Sequence, residues 1–224
     1  MNINILMSRS EGLVANYSYP ELKKILKKSM KVVIVGFSFF DNLEEDKYFE
    51  YYGKDSEYQL KMANLFNRYE INDVNWIYYY QMTKAESIEL IKSADIIYFP
   101  GGAPDLMYER IKEKELLQPL KAFKGIIIGS SAGTMIQLEN FHISPDNEYN
   151  KFSMNQGLGY LNDFFIEVHF RRRKKQKSSM RKLNRKYNKP IYVIPDDGIM
   201  IVKDNNVKTL GSAKLYYDGK GVVK

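Results

Sequence analysis

Two runs in this chain, Val32-Val33-Ile34-Val35 and Ile126-Ile127-Ile128, are apolar at every position. A strand with one wet face alternates apolar and polar residues, so a run with no polar position belongs to a strand covered on both faces. Other strand-like runs lie at Ile3–Ser8, Asn75–Tyr80, Ile96–Phe99, Ile191–Ile194 and Gly198–Val202. Helix-like segments fall between many of them. Pro20 to Lys28 is one, and Asp55 to Tyr69 is another, with Leu60, Ala63, Phe66 and Tyr69 at helical spacing. Thr83-Lys84-Ala85-Glu86 is a capping box ahead of Ile88 and Ile91. Asp105 to Leu117 reads as a fourth helix, with Pro119 beyond it. Strands alternating with helices of this length predict an α/β fold, a three-layer αβα sandwich around a mostly parallel sheet.

The end of the chain changes character. Ile199-Met200-Ile201-Val202, Asn205-Asn206 and Val207-Lys208-Thr209-Leu210 read as a hairpin, followed by Lys214-Leu215-Tyr216-Tyr217 and an Asp218-Gly219 turn. This predicts an antiparallel C-terminal edge that closes the sheet. No repeat or linker divides the chain, so residues 1–224 are expected to form one domain.

With no cysteine, disulfides, thiolate metal sites and cysteine nucleophiles are excluded. No apolar run approaches the roughly 20 residues that span a bilayer, and the first residues read as a strand rather than a signal peptide. A cytoplasmic setting without membrane attachment is expected. The net charge of +7 is unevenly placed: Arg171 to Lys189 holds eleven Lys and Arg and no Asp or Glu. Such a run attracts anions, yet Tyr187 is its only aromatic, which leaves little on which bases could stack. Nucleic acid is therefore not expected as a partner, and the run reads as a solvated helix face from about Gln176 to Tyr187.

Chemistry centres on Ile126 to Met135. An apolar strand enters Gly129-Ser130-Ser131-Ala132-Gly133 and leaves as a helix, which is the form of a nucleophile elbow. Ser131 would sit at the tight turn, and the helix start would offer backbone N–H groups to an oxyanion. A second glycine loop, Pro100-Gly101-Gly102-Ala103, follows another strand. Active-site loops gather at the carboxyl ends of parallel strands, so Gly102 or Ala103 and Ala132 are the candidate oxyanion donors. The hydroxyl needs a base, and the chain has two histidines. His169 closes an apolar stretch and opens into a polar loop, whereas His142 reads as structural. The carboxylate that orients the base could be Asp196 or Asp197 in a Pro-Asp-Asp-Gly turn, or Asp146, 15 residues after Ser131. Glu167 stands two residues from His169 on the same strand and is a poor orienter. No cysteine and only two histidines leave no recognisable zinc spacing, and no phosphate-loop pattern follows Gly101-Gly102, so neither metal nor cofactor is expected.

These elements in this order, from Ser8-Arg9-Ser10 through the Gly-Gly loop, G-x-S-A-G, His169-Phe170 and the acidic turn, resemble the serine peptidase family that contains alpha-aspartyl dipeptidase (peptidase E) and cyanophycinase. The likeness runs from Ile3 to about Tyr217. It implies a scaffold related to class I glutamine amidotransferases, which use cysteine where this chain has Ser131. It also implies Ser131 as nucleophile, His169 as base, Asp196 ahead of Asp146 as third member, and Gly102 and Ala132 as oxyanion donors. Ala103, Arg171 and Arg173 fall where the family's substrate-binding residues lie. Family members usually place polar residues after Gly-Gly, where this chain has Ala103-Pro104. The expected function is a serine-type hydrolase that cleaves a small peptide or dipeptide, with an acidic one favoured by the cationic run, in a monomer or homodimer. The alternative is a non-catalytic or regulatory binding protein on the same scaffold, with Ala103-Pro104 as its mark.

Overall fold

The computed structural model describes residues 2–41 and 43–223. The first half runs β1 (Ile3–Met7), a 3-10 turn over Ser10–Val14, α1 (Tyr19–Leu22), β2 (Lys31–Gly36), α2 (Glu45–Tyr52), α3 (Glu57–Asn67), β3 (Asp73–Tyr78), α4 (Lys84–Ser93), β4 (Ile96–Phe99), α5 (Pro104–Glu113) and α6 (Leu117–Ala122). The second half runs β5 (Ile126–Ser130), α7 (Ala132–Met135), β6 (Asn140–Ile143), β7 (Ser153–Gln156), β8 (Phe165–Val168), α8 (Lys174–Tyr187), β9 (Pro190–Ile194), β10 (Gly198–Lys203), β11 (Asn206–Gly211) and β12 (Lys214–Asp218).

A seven-stranded sheet has the order β11-β10-β1-β5-β4-β2-β3. Its five strands from β1 to β3 are parallel, and β10 and β11 add an antiparallel edge. The α/β class, the mostly parallel sheet and the antiparallel edge are as the sequence predicts. The unbroken apolar runs are explained by the two faces. Val32 and Ile34 pack with Met62 and Phe66 of α3 on one side. Val33 and Val35 pack with Met107 and Ile111 of α5 on the other.

The covering layer changes along the sheet. Over β1 and β10, Leu6, Met200 and Val202 pack on Ile166 and Ile194, which belong to a three-stranded sheet of order β12-β9-β8. Helix α8 then packs Met180 and Leu183 on Phe165, Ile191 and Val193, on the far side of that small sheet. The two helix residues are fully shielded, and each such burial contributes about 1.5–3 kcal/mol. The cationic pairs Lys177/Arg181, Arg181/Arg185 and Lys182/Lys186 on the same helix each oppose it by only about 0.2–0.5 kcal/mol. Burial wins, and the charged segment is a helix, with its start two residues earlier than the sequence suggests.

Several elements differ from expectation. The helix predicted from Pro20 to Lys28 is a single α turn, Tyr19–Leu22, that continues as looser turns. The helix predicted from Asp105 to Leu117 ends at Glu113, because Glu115 takes a positive φ of 55° and redirects the chain into α6. The final strand Lys214–Asp218 does not close the main sheet, since β11 already occupies that edge; it pairs with β9 in the small sheet. The hairpin itself forms as predicted. Asp204 and Asn205 both take positive φ at its turn, which matches the right-handed strand twist. Among the described residues no helix is long and apolar enough to cross a membrane.

Candidate active site

Strands β1 and β5 run in parallel register from Ile3↔Ile126 to Met7↔Ser130, so the residue after β5 emerges at the carboxyl end of the sheet. That residue is Ser131, held at φ 50° and ψ −110°. A non-glycine residue rarely adopts this conformation, and it persists only where the surroundings enforce it. The Ser131 amide donates to Met7 O at 2.9 Å. Thr134 Oγ1 accepts from Met7 N at 2.9 Å and lies 2.8 Å from Met7 O and 2.7 Å from Gly129 O. The two glycines are sterically required: a Cβ on Gly129 would stand 2.0 Å from Gly133 O, and one on Gly133 would stand 1.8 Å from Phe99 O. The elbow is thus clamped between β1, β4 and its own helix start.

His169 follows β8 at a positive φ of 47°. Its amide donates to Ser8 Oγ at 2.9 Å, and Ser8 Oγ donates to Ile194 O at 2.6 Å. On the other side Gln176 Nε2 donates to His169 O at 3.0 Å, and Gln176 Oε1 accepts from the amides of Arg171 and Arg173. The backbone of His169 is therefore held by β1 and by the first turn of α8. Its ring spans the gap to the elbow: Nε2 lies 2.9 Å from Ser131 Oγ, and Nδ1 lies 2.6 Å from Asp196 Oδ1.

Asp196 is also bound by two arginines. Arg171 donates to Oδ2 at 2.7 Å, and Arg9 Nε lies 3.3 Å from Oδ1. Partial burial disfavours its charge, but the hydrogen bonds from His169, Arg171 and Arg9 outweigh that cost and hold its carboxyl well below the usual carboxylate range. An ionised Asp196 accepts Nδ1–H, which leaves the Nε2 lone pair toward the Ser131 hydroxyl. The arrangement has the atoms for proton transfer away from a serine oxygen.

The Gly102 amide and the Ala132 amide make no hydrogen bond among the described residues. Gly102 holds a φ of 137°, and a Cβ there would stand 2.0 Å from Ser38 O. The adjoining Gly101 is close enough that an added Cβ would meet Ser131 Cβ at 3.4 Å, so the two glycine-bearing loops touch. Ala103 behaves differently from expectation. It is fully buried and its amide donates to Ser38 O at 2.7 Å, so the Gly102 turn removes it from solvent. Of Ala103-Pro104, only Pro104 lines the cavity.

The cavity in front of Ser131 has a volume of about 560 Å³. Arg9, Arg171 and Arg173 line it together with Asp146, Glu148 and Glu167. Asp146 is turned into its own loop, where Oδ1 accepts from the amides of Glu148 and Tyr149, and it makes no bond to His169. A second histidine–carboxylate pair borders the same space. His142 Nε2 lies 2.7 Å from Glu167 Oε2, which also accepts from Ser144 Oγ at 2.8 Å. Both members of this pair are buried, and His142 Nδ1 has no partner among the described residues. No local sequence pattern gives a role to Ser8, Arg9, Thr134 or Gln176, or pairs His142 with Glu167. Among the described residues no cluster of side chains suited to a metal ion is present.

The model of peptidase family S51 matches residues 50–210. A crystal structure of a candidate peptidase E from Listeria monocytogenes EGD-e superposes with a TM-score of 0.66 at 16% identity, covering 93% of this chain and 98% of that one. A peptidase from an acI-B1 Actinobacterium superposes with a TM-score of 0.65 at 14% identity, covering 98% and 96% of the two chains. At these identities the likeness is one of fold. No curated protein sequence matches the chain.

Proposed function

The chain belongs to peptidase family S51, and from that premise we propose that it is a serine-type peptidase acting on short peptides through an acyl-enzyme. The observation that carries this reading is the bonded chain Ser131 Oγ, His169 Nε2, His169 Nδ1, Asp196 Oδ1 on a strained elbow. Ser131 Oγ attacks the scissile carbonyl carbon as its proton passes to His169 Nε2. The Gly102 and Ala132 amides receive the oxyanion; losing one such donor typically costs about 3 kcal/mol of transition-state stabilisation. Collapse breaks the C–N bond, and His169 returns its proton to the leaving amine. Water then attacks the acyl carbon as His169 Nε2 takes its proton, the ester C–O bond to Ser131 breaks, and the proton passes to Ser131 Oγ, which frees the acid. Asp196 stays ionised and holds the imidazole in the required tautomer.

The lining of the cavity supports a short substrate with a free N-terminus. Arg9, Arg171 and Arg173 offer positive charge and Glu148 offers negative charge, so the site suits a zwitterion with an acidic side chain better than a neutral chain. The test is hydrolysis of Asp-Leu and Lys-Leu by the same preparation at about 0.05 M and 0.5 M salt. Faster cleavage of Asp-Leu, with a ratio that narrows as salt rises, is expected. Equal rates remove the arginines from the specificity argument, and no cleavage of either by protein whose Ser131 also resists a fluorophosphonate ends the catalytic reading.

A further inference from the structure

Helix α8 is built against its own electrostatics. Lys174, Lys175 and Lys177 occupy its first turns, where the helix dipole disfavours positive charge, and no acid stands beside them. Arg181, Lys182, Arg185 and Lys186 continue the same sign to its end. None of these seven side chains forms an ion pair among the described residues, although acids elsewhere on the molecule are paired. Arg185 and Lys186 in the last turn suit the helix dipole, but the first-turn lysines gain nothing from it, and an anion docking beside them would offset that cost.

A place for that anion lies beside the helix. A cleft of about 530 Å³ is lined by Lys151, Lys174, Lys175 and Lys182 with Phe152 and Ser178, and among the described residues no acidic side chain borders it. Lys182 Nζ sits 5.1 Å above the Phe152 ring. The cleft meets the catalytic cavity at Pro145, which lines both. The helix is also fixed in register with the proposed base, because Gln176 of its first turn donates to His169 O. An anion seated here is therefore held at a set position relative to Ser131.

We propose that this cleft is a second subsite, which binds the acidic continuation of a peptide whose first residue occupies the catalytic cavity. The proposal rests on the peptidase reading for the direction of the chain: with the N-terminal residue in the cavity, the remainder leaves on the amine side of the scissile bond. Lysine ammonium groups around a shallow cleft suit scattered carboxylates. A nucleic acid would also meet the charge, but Tyr187 packs on Phe165 and Phe152 lies beneath Lys182, so these two rings offer little for base stacking.

The experiment uses full-length Ser131→Ala protein, which cannot cut by the proposed route, and a C-terminally labelled peptide Asp-Leu-Glu-Glu-Glu-Glu read by fluorescence anisotropy. Lys151→Glu/Lys182→Glu in that background is expected to weaken binding at least about fivefold, since several exposed charge pairs are removed and reversed. Raising salt from about 0.05 to 0.5 M should weaken binding to the parent protein and change it little in the double variant. The double variant with Ser131 intact should keep its melting temperature and its turnover of Asp-Leu. Lysine-independent binding, or tighter binding of a single-stranded oligonucleotide of equal charge, would overturn the proposal. Lysine-dependent binding by a protein that cleaves no peptide would support the subsite while counting against the peptidase reading.

Discussion

One cavity holds two groups made of a serine, a histidine and a carboxylate, and they are wired in opposite order. In the first, His169 stands between Ser131 and Asp196. In the second, Glu167 stands between Ser144 and His142. A histidine in the middle can accept the serine proton while the carboxylate steadies the charge that results. A carboxylate in the middle accepts from both neighbours, so the Ser144 hydroxyl is bound rather than activated. Exposure separates them as well. The His169 and Asp196 side chains are 39% and 29% exposed, whereas those of His142 and Glu167 are 1% and 5% exposed. The first group can meet a substrate, and the second is part of the packing around β6 and β8. Residue types alone do not make a nucleophile; bonding order and the strained backbone at Ser131 and His169 do.

The contrast breaks most sharply at the nucleophile. His169→Ala is expected to slow covalent labelling by a fluorophosphonate at least about 1,000-fold, the scale on which removal of a triad member acts. Ser131→Ala should remove labelling altogether. Ser144→Ala should leave the rate near that of the wild type. Mass-spectrometric mapping of the labelled peptide decides the matter, and label on Ser144 would show that bonding order does not set which serine reacts.

Stability should invert that ranking. Glu167→Ala leaves the buried His142 Nε2 without its acceptor beside an Nδ1 that already lacks a partner among the described residues. Leaving a buried polar group unsatisfied typically costs about 1–3 kcal/mol. Asp196→Ala removes contacts among half-exposed groups and should cost no more than about 1 kcal/mol. Urea unfolding of the two variants compares them directly. A larger loss for Asp196→Ala would mean that the catalytic group, and not the buried one, carries the structure.

How far this contrast can be read from sequence follows from how far apart its parts are. The elbow is contiguous, so strand, glycines and Ser131 announce themselves within ten residues. His169 stands out through scarcity, because only two histidines are present. Asp196 is singled out by family resemblance, since Asp197 and Asp146 fit the local pattern equally well. The pairing of His142 with Glu167 joins β6 to β8 across 25 residues, and no local pattern encodes it. Simple alternation puts Glu167 and His169 on one face of one strand. The positive φ of His169 ends that alternation, which frees its ring to reach Ser131 while Glu167 stays with His142. The same limit applies to the fold. Ile191–Ile194 and Lys214–Tyr217 are legible as strands, but their assembly into a separate sheet depends on long-range partners. The loss of Ala103 from the cavity depends on the turn at Gly102, whose φ the sequence does not state.

The smallest expected effect lies in the acid limb of stability, and it sharpens the comparison because it belongs to the first group alone. The Asp196 carboxyl is held below its ordinary range by His169, Arg171 and Arg9 against the opposing effect of partial burial. A carboxyl whose pKa is depressed by folding contributes stability above its unfolded value of about 3.9, and loses it as pH falls toward the folded value. The contribution is therefore complete near neutral pH and drains away below about pH 4. Asp196→Asn removes the ionisation while keeping the shape. The wild type should exceed this variant by less than about 1 kcal/mol near pH 7, because the partners are partly exposed and solvent screens them. The gap should shrink steadily between about pH 5 and pH 3 as the wild-type advantage is titrated away. Chemical denaturation of both proteins across that range measures it. A gap that is constant with pH would mean that Asp196 is held by shape rather than by charge. A gap that widens on acidification would mean that its carboxyl is protonated in the folded state, and the order of proton transfer assigned to His169 would then fail with it.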